Sequence, residues 1–200
     1  DLESFEGNAQ GFRLINQKEH GLSLTHATLG AFTKYPKKVS GPKDKNRVSQ
    51  KKFGFFQTES DAFAETASQL GLHKLAEGSW TRHPLAFLVE AADDICYHII
   101  DLEDGCTLGL VSLEETIDLL KPIVGERFDR KKLDEKKLLH EKLGTLRALA
   151  INELITQTVE AFLANEEEML QGNFDQSLTD LLPVADAMKQ IKKISIEKIY

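Results

Sequence analysis

The longest helical pattern in this chain reads His83-Pro-Leu-Ala-Phe-Leu-Val-Glu-Ala-Ala-Asp-Asp-Ile-Cys-Tyr-His-Ile-Ile-Asp-Leu-Glu-Asp104. Pro84 suits the first turn of a helix, where the N–H that it lacks would have no partner in any case. Apolar residues recur at intervals of three and four, which is typical of a buried helical face. This predicted face consists of Leu85, Leu88, Ala92, Ile95 and Ile99.

A row of polar side chains runs along the same helix. Asp93, Tyr97 and Asp101 are spaced four residues apart, so they lie one above another on successive turns. Two carboxylates beside a buried face cost desolvation free energy unless a cation or a donor meets them. Each residue taken singly is most simply a solvated helical side chain, but the combination makes this row the first candidate for chemistry. A carboxylate here could bind a divalent cation, provided that other ligands come from elsewhere.

Length and composition indicate a soluble globular protein. The 200 residues suit one domain or slightly more, with 41% hydrophobic and 28% charged residues. A net charge of -7 excludes a protein that coats nucleic acid with its whole surface, although a local basic site stays possible. Two cysteines, no signal peptide and no apolar run of about 20 residues predict a cytoplasmic protein without a membrane segment.

Helical spacing dominates the rest of the chain, which predicts an all-α fold. Ser112 and Glu115 form a capping box that opens one of the helices, and Lys121-Pro122 predicts its end. The predicted helices besides the long one cover residues 6–18, 23–33, 59–70, 112–120, 133–164 and 184–192. Asp1 is not Met, and Phe5 to Ile15 reads like the middle of a domain, so we expect a fragment.

Residues 34–52 form a basic segment in which Asp44 is the one acidic residue. Such a segment could bind phosphates or single-stranded nucleic acid, with nearby aromatic rings as stacking partners. These rings are Tyr35, Phe53, Phe55 and Phe56. For most of the lysines a solvated flexible loop is the simpler interpretation, whereas Lys34 and Tyr35 sit at a predicted helix end, where the chain is ordered.

Two segments together resemble a known family. Phe5-Glu-Gly-Asn-Ala-Gln-Gly-Phe-Arg-Leu-Ile15 resembles the segment that follows the His-Asp motif in deoxyguanosine triphosphate triphosphohydrolases. Glu90-Ala-Ala-Asp-Asp-Ile-Cys-Tyr97, continuing to Gly105, resembles the later metal-binding helix of that family. Leu24 to Leu29 with Lys34-Tyr35-Pro36 fits between the two, and Leu146 to Ile155 fits the core helix that follows. The resemblance extends in order from Phe5 to about residue 155.

The resemblance implies an all-α, HD-domain-like multi-helix bundle that lacks its N-terminal helices. Residues 1–165 would be the middle and later helices of the phosphohydrolase domain, and residues 166–200 the start of a C-terminal helical region. The implied activity is hydrolysis of a deoxynucleoside triphosphate to the deoxynucleoside and tripolyphosphate. It implies a divalent metal ion (Mg, Mn or another transition metal), a dGTPase-like hydrolase and a homo-oligomer.

The resemblance also implies roles for particular residues. Asp93 resembles the family's distant metal-binding aspartate, and Tyr97 and Asp101 resemble the residues that contact the sugar. Lys34 and Tyr35 resemble triphosphate contacts. The remaining substrate-binding candidates are Arg147, which falls on a pocket-lining helix of the family, and Asn8.

Other parts of the family's site do not match this chain. The family's first His, its His-Asp pair and the catalytic His and Glu all precede the motif that begins at Phe5. We therefore expect the catalytic residues upstream of Asp1, and we expect the fragment alone to be inactive. On the residues alone, none of the six histidines has metal-ligand spacing.

Two alternatives stay open at this point. The chain could be part of another HD-type phosphohydrolase that acts on nucleoside monophosphates or cyclic nucleotides. It could also be a catalytically silent helical module that binds single-stranded nucleic acid or a protein partner through residues 34–52.

Overall fold

The computed structural model describes residues 5–17, 22–41, 44 and 47–200. Its helices are α1 (Gly7–Ile15), α2 (His26–Phe32), α3 (Ser60–Gln69), α4 (Pro84–Thr107), α5 (Leu113–Val124), α6 (Arg130–Asp134), α7 (Leu139–Ala164), α8 (Glu166–Leu170) and α9 (Ala185–Ile194). Strand structure in these residues is limited to an antiparallel hairpin, β1 (Lys74–Ala76) with β2 (Ser79–Trp80), and isolated bridges. The predicted all-α class is therefore confirmed.

The chain divides into two compact units. The first comprises residues 1–90 and 162–177, and the second comprises residues 91–161 and 178–200. The predicted boundary between residues 165 and 166 concerns the larger family domain and stays a prediction. In the described part of the chain, no helix combines the length and the hydropathy needed to cross a bilayer.

Aromatic side chains dominate the core of the first unit. Phe55 stacks on Phe63 with ring centroids 4.5 Å apart, and Trp80 meets the Phe63 ring edge-on at 5.5 Å. Phe12 of α1 meets the Phe63 ring at 5.7 Å. Since Phe12, Phe55 and Phe63 are fully buried, this cluster fixes α1 and α3 together with the turn that precedes α3.

The second unit has an aliphatic core. It gathers the buried sides of α4, α5, α7 and α9 around Ile99, Leu102, Leu154 and Ile191. The Ser112 N-cap of the predicted capping box is confirmed, because its side chain accepts a hydrogen bond from the Glu115 N–H at 3.2 Å. The Glu115 carboxylate pairs with Lys198 at 2.6 Å. This core holds the second half of α4 in place.

The predicted end of α5 at Lys121-Pro122 is wrong. The helix continues through Pro122 to Val124. A proline inside a helix costs roughly 3 kcal/mol, whereas burying one large aliphatic side chain contributes about 1.5–3 kcal/mol. Both Ile123 and Val124 are buried, so their burial offsets the loss.

The predicted continuous helix over residues 133–164 is also wrong. The structure has a short α6, a break at residues 136–138 and then α7. Asp129 starts α6 by accepting hydrogen bonds from the Lys131 and Lys132 N–H groups. Leu138 and Leu139 are exposed, so a helix through the break would gain no burial there.

The strands β1 and β2 were not predicted. Strands of two or three residues are too short for alternation of polar and apolar residues to appear in the sequence.

The predicted buried face of α4 is wrong at two positions. Leu85 is 44% exposed and Ala92 is exposed, although Ile95 and Ile99 are buried as predicted. The buried residues of α4 also include Ala86, Phe87, Ala91 and Leu102. The predicted face therefore covers only part of the side that is shielded from solvent.

Candidate functional site

The row Asp93, Tyr97 and Asp101 lies on the outer side of α4. Asp93 is exposed, Tyr97 is 52% exposed and Asp101 is half-buried. The row therefore avoids the desolvation cost, because Asp93 and Tyr97 keep contact with water and a donor, the Tyr200 hydroxyl, meets Asp101. The row is accessible to a ligand.

The two aspartates of the Asp93-Asp94 doublet differ in their surroundings. Asp94 is half-buried, and its Oδ2 accepts a hydrogen bond from the Thr179 hydroxyl at 3.3 Å. Asp93 is exposed, and no described residue of its unit forms a hydrogen bond or ion pair with its carboxylate. Asp93 is thus the member of the doublet whose oxygens can serve an external ligand.

Tyr200 contacts both of the other residues in the row. Its hydroxyl donates a hydrogen bond to Oδ2 of Asp101. Its ring stacks on Tyr97, with centroids 5.9 Å apart and planes only 9° from parallel. The hydrogen bond to the Asp101 carboxylate raises the pKa of the Tyr200 hydroxyl above its usual range, and Tyr97 adds to the effect. Sequence reasoning gave Tyr200 no role, since 99 residues separate it from Asp101.

Arg147 lies on α7 and is tied to α4. Its guanidinium Nη1 donates to the Glu103 carboxylate at 2.7 Å, and its side chain is 45% exposed. A guanidinium has five N–H groups in total, so this ion pair leaves donors that can meet a further acceptor. The structure therefore fixes one edge of Arg147 while solvent reaches the rest of the side chain.

Lys34 and Tyr35 follow α2 in the first unit, where a charged cluster holds them. The Lys34 ammonium lies 3.2 Å from Oε1 of Glu90, and Arg82 Nη1 donates to Oε2 at 2.7 Å. Arg82 Nε also donates to the Lys34 carbonyl oxygen at 2.8 Å. Tyr35 is largely buried, and the Arg82 guanidinium lies 5.9 Å from its ring centre.

Arg82 and Glu90 are components that sequence reasoning missed. Their side chains are only 1% and 5% exposed, respectively. Two cations share one carboxylate in this cluster, so Arg82, Glu90 and Lys34 carry a net charge of plus one between them. The signal that could have identified them is a glutamate on the core side of an amphipathic helix, because a buried carboxylate requires a buried cation.

Asn8 has a structural partner at the start of α1. Its side-chain amide donates to Oε1 of Glu6 at 2.8 Å, and its backbone N–H approaches the same oxygen at 3.4 Å. Glu6 also lies 3.6 Å from the Lys52 ammonium. These contacts cap the helix, and the substrate-binding role of Asn8 stays a prediction.

The aromatic residues proposed for nucleic-acid stacking are mostly inaccessible. Tyr35, Phe55 and Phe56 are buried, and Phe53 is half-buried. The prediction that these rings are available to stack on bases is therefore wrong for the three buried residues. Lys37 is buried too, whereas residues 42, 43, 45 and 46 of the basic segment lie outside the described residues.

The described residues contain no group of three or more His, Cys, Asp or Glu side chains that could hold a metal ion. The Asp93 carboxylate fits a divalent cation as a single oxygen ligand, since hard cations prefer carboxylate oxygens. The other ligands of such a metal would have to come from outside the described residues.

No family model matches the chain. Curated relatives do match it, and each alignment covers the whole of this chain. Two of them are named deoxyguanosinetriphosphate triphosphohydrolase-like protein, from Synechocystis (38% identical over 211 residues) and Pseudomonas aeruginosa (36% over 209 residues). A relative with the same name from Listeria monocytogenes is 31% identical over 217 residues. The chain spans about half the length of these relatives, 47%, 47% and 45% in turn. The resemblance inferred from residues 5 to about 155 is thus confirmed, and the alignments extend over the whole chain.

Proposed function

We propose that this chain is part of a metal-dependent deoxynucleoside triphosphate triphosphohydrolase. The whole of the chain aligns with about half of each deoxyguanosinetriphosphate triphosphohydrolase-like protein. The reaction would release the deoxynucleoside and tripolyphosphate. One observation supports this proposal most strongly. The outer side of α4 presents an accessible carboxylate, a phenol ring and a second carboxylate on successive turns, in a helix that resembles the family's metal- and sugar-binding helix.

Asp93 is the proposed metal ligand of this chain. Its exposure and its freedom from described partners in its own unit support the choice over Asp94, which Thr179 engages. When bound, a divalent metal supplies an activated water for attack at the α-phosphorus. Asp93 contributes one anionic oxygen, and the remaining ligands are proposed to lie upstream of Asp1.

Tyr97 and Asp101 are the proposed sugar-binding residues. An aromatic ring against C2′ leaves no room for a ribose 2′-hydroxyl, which would exclude ribonucleotides by steric clash. A carboxylate accepts a hydrogen bond from the 3′-OH. Asp101 retains this capacity, because Tyr200 engages Oδ2 and a carboxylate has two oxygens.

Lys34, Tyr35 and Arg147 are the proposed triphosphate contacts. Cations stabilise phosphate oxygens by charge-assisted hydrogen bonds, and a guanidinium can do so in a bidentate manner. Lys34 pairs with Glu90, and Arg147 pairs with Glu103. The Arg147 guanidinium has five N–H groups, so its ion pair leaves donors for a phosphate oxygen.

The identity of the products tests this proposal. The full-length protein is incubated with dGTP and a divalent metal, and phosphorus NMR follows the phosphate products. We expect tripolyphosphate and deoxyguanosine in equal amounts, and none from the Asp93→Ala variant. Stepwise release of inorganic phosphate, or release of pyrophosphate, would instead indicate another HD-type phosphohydrolase. The proposed homo-oligomer and cytoplasmic location stay predictions.

A further inference from the structure

Tyr200 lies against the two residues to which we assign sugar binding. Its hydroxyl donates to Asp101, and its ring is nearly parallel to the Tyr97 ring. Tyr97 and Asp101 are neighbours on one helix face, so a single aromatic side chain can contact both of them. Tyr200 itself is 69% exposed, which shows that it rests on the outside of the pair rather than filling a closed cavity.

The backbone before Tyr200 is fixed to the same unit at three points. Ser195 is buried, and the Lys198 ammonium pairs with the Glu115 carboxylate at 2.6 Å. Ile199 packs so closely on α4 that a Cβ placed on Gly105 would lie 2.5 Å from its Cδ1. The π-helical turn Ser195–Ile199 therefore delivers Tyr200 to a defined place beside α4.

We infer that Tyr200 is a positioning residue for sugar selection, holding the Asp101 carboxylate and the Tyr97 ring in the orientation that discriminates deoxyribose. This inference rests on the proposed function. Tyr200 is not among the proposed phosphate or metal contacts, and it acts through Tyr97 and Asp101.

Restricted rotation is the physical reason for such a role. Exposed Tyr and Asp side chains on a helix sample several rotamers, and each ligand-binding event must then fix them. A hydrogen bond to Oδ2 holds the carboxylate plane, leaving Oδ1 to accept from a 3′-OH. The Tyr200 ring stacked on one face of the Tyr97 ring limits the tilt of Tyr97. The Tyr97 ring must be held rigidly if it is to exclude a ribose 2′-hydroxyl by steric clash.

The opposite role would be occlusion, in which Tyr200 covers the pair and the nucleotide must displace it. The two roles predict different kinetic effects when Tyr200 is replaced. Removing a positioning residue weakens sugar discrimination, whereas removing an occluding residue raises kcat/KM for every nucleotide by a common factor.

The test measures kcat/KM of the full-length enzyme for dGTP, for 2′,3′-dideoxy-GTP and for GTP. Tyr200→Phe keeps the ring and removes the hydroxyl, and Tyr200→Ala removes both. Ile196→Ala is the matched control, since Ile196 lies on the same turn and is 62% exposed. Asp101→Ala, which has no side-chain acceptor, sets the reference for complete loss of 3′-OH recognition.

We expect Tyr200→Phe to lower the preference for dGTP over the dideoxy analogue by roughly fivefold to tenfold, the size expected for the net contribution of one typical hydrogen bond. Tyr200→Ala should in addition lower the preference for dGTP over GTP. In the Asp101→Ala background, Tyr200→Phe should have no further effect on the dideoxy preference, because the carboxylate that it positions is already gone. A destabilised but otherwise unaffected site would not change these ratios.

The outcomes separate the inference from the proposed function. If Asp101→Ala abolishes the dideoxy preference and Tyr200→Phe leaves it unchanged, the role of Tyr200 is overturned and sugar binding by Asp101 stands. If Asp101→Ala itself keeps the preference, the proposed sugar role fails and the inference fails with it. A uniform rise in kcat/KM for all three nucleotides in Tyr200→Phe would show occlusion and also overturn the inference.

Discussion

Arg82 and Glu90 form an ion pair that is almost completely shielded from solvent, with a shortest N–O distance of 2.7 Å. The same carboxylate lies 3.2 Å from the Lys34 ammonium. The pair therefore links the first half of α4 to Lys34, two residues after the end of α2, and this proposed phosphate-binding lysine depends on it.

Replacing Glu90 should be strongly destabilising. Glu90→Gln leaves the buried Arg82 charge without its counter-charge, which costs about 3–5 kcal/mol of unfolding free energy for a buried pair. Urea unfolding followed by circular dichroism measures this loss. Glu77→Gln is the matched control, since Glu77 pairs with Lys74 on the surface and should change the midpoint little. Equal midpoints for the two variants would show that the Arg82–Glu90 pair does not stabilise the fold.

His83 should make stability depend on pH. Burial lowers the pKa of the His83 imidazole, and its Nδ1 accepts a hydrogen bond from the Leu85 N–H at 3.2 Å. Protonation then favours the unfolded chain, in which the ordinary pKa of about 6.5 applies. The stabilising contribution is complete above that value and is lost as the pH falls toward the lowered pKa of the folded state.

Urea midpoints at about pH 8 and about pH 5.5 test this dependence, because they bracket the ordinary histidine pKa. The difference between the two midpoints should be smaller in His83→Gln than in the unmodified protein. The same change at the exposed His140 should leave the difference as it was. An unchanged pH dependence in His83→Gln would contradict the account.

Two glycines inside helices should respond oppositely to alanine. At Gly144 a Cβ would meet its nearest neighbour, Arg147 Nη2, at an ordinary 4.0 Å. Gly144→Ala should therefore stabilise α7 by about 0.5–1 kcal/mol, from helix propensity. At Gly105 the Cβ would approach Ile199 to 2.5 Å, so Gly105→Ala should lose that gain and displace the turn that carries Tyr200. Thermal unfolding distinguishes the two, and equal increases in Tm would refute the close approach of Ile199.

Local patterns predicted the parts of the fold and of the site that depend on sequence neighbours. The period of α4, the N-cap at Ser112 and the row from Asp93 to Asp101 can all be recognised within a few turns of helix. The end of α5 was mispredicted because the burial of Ile123 and Val124 outweighs a local stop signal.

Contacts between residues far apart in sequence could not be predicted in this way. Arg82 reaches a carbonyl 48 residues away, and Tyr200 reaches Asp101 across 99 residues. Phe55 is buried because it packs on Phe63 and Trp80. The lysine-rich sequence just before Phe55 gives no indication of these contacts. These relationships depend on tertiary packing rather than on any short pattern.

The metal content of two aspartate variants tests the central claim most directly. Asp93→Asn and Asp94→Asn are prepared in the full-length protein, and bound divalent metal is measured after dialysis. The account predicts that Asp93→Asn loses the metal, whereas Asp94→Asn keeps it with reduced stability, because Asp94 is held by Thr179. Full metal content in Asp93→Asn, or loss confined to Asp94→Asn, would contradict the assignment of Asp93 and the proposed site built on it.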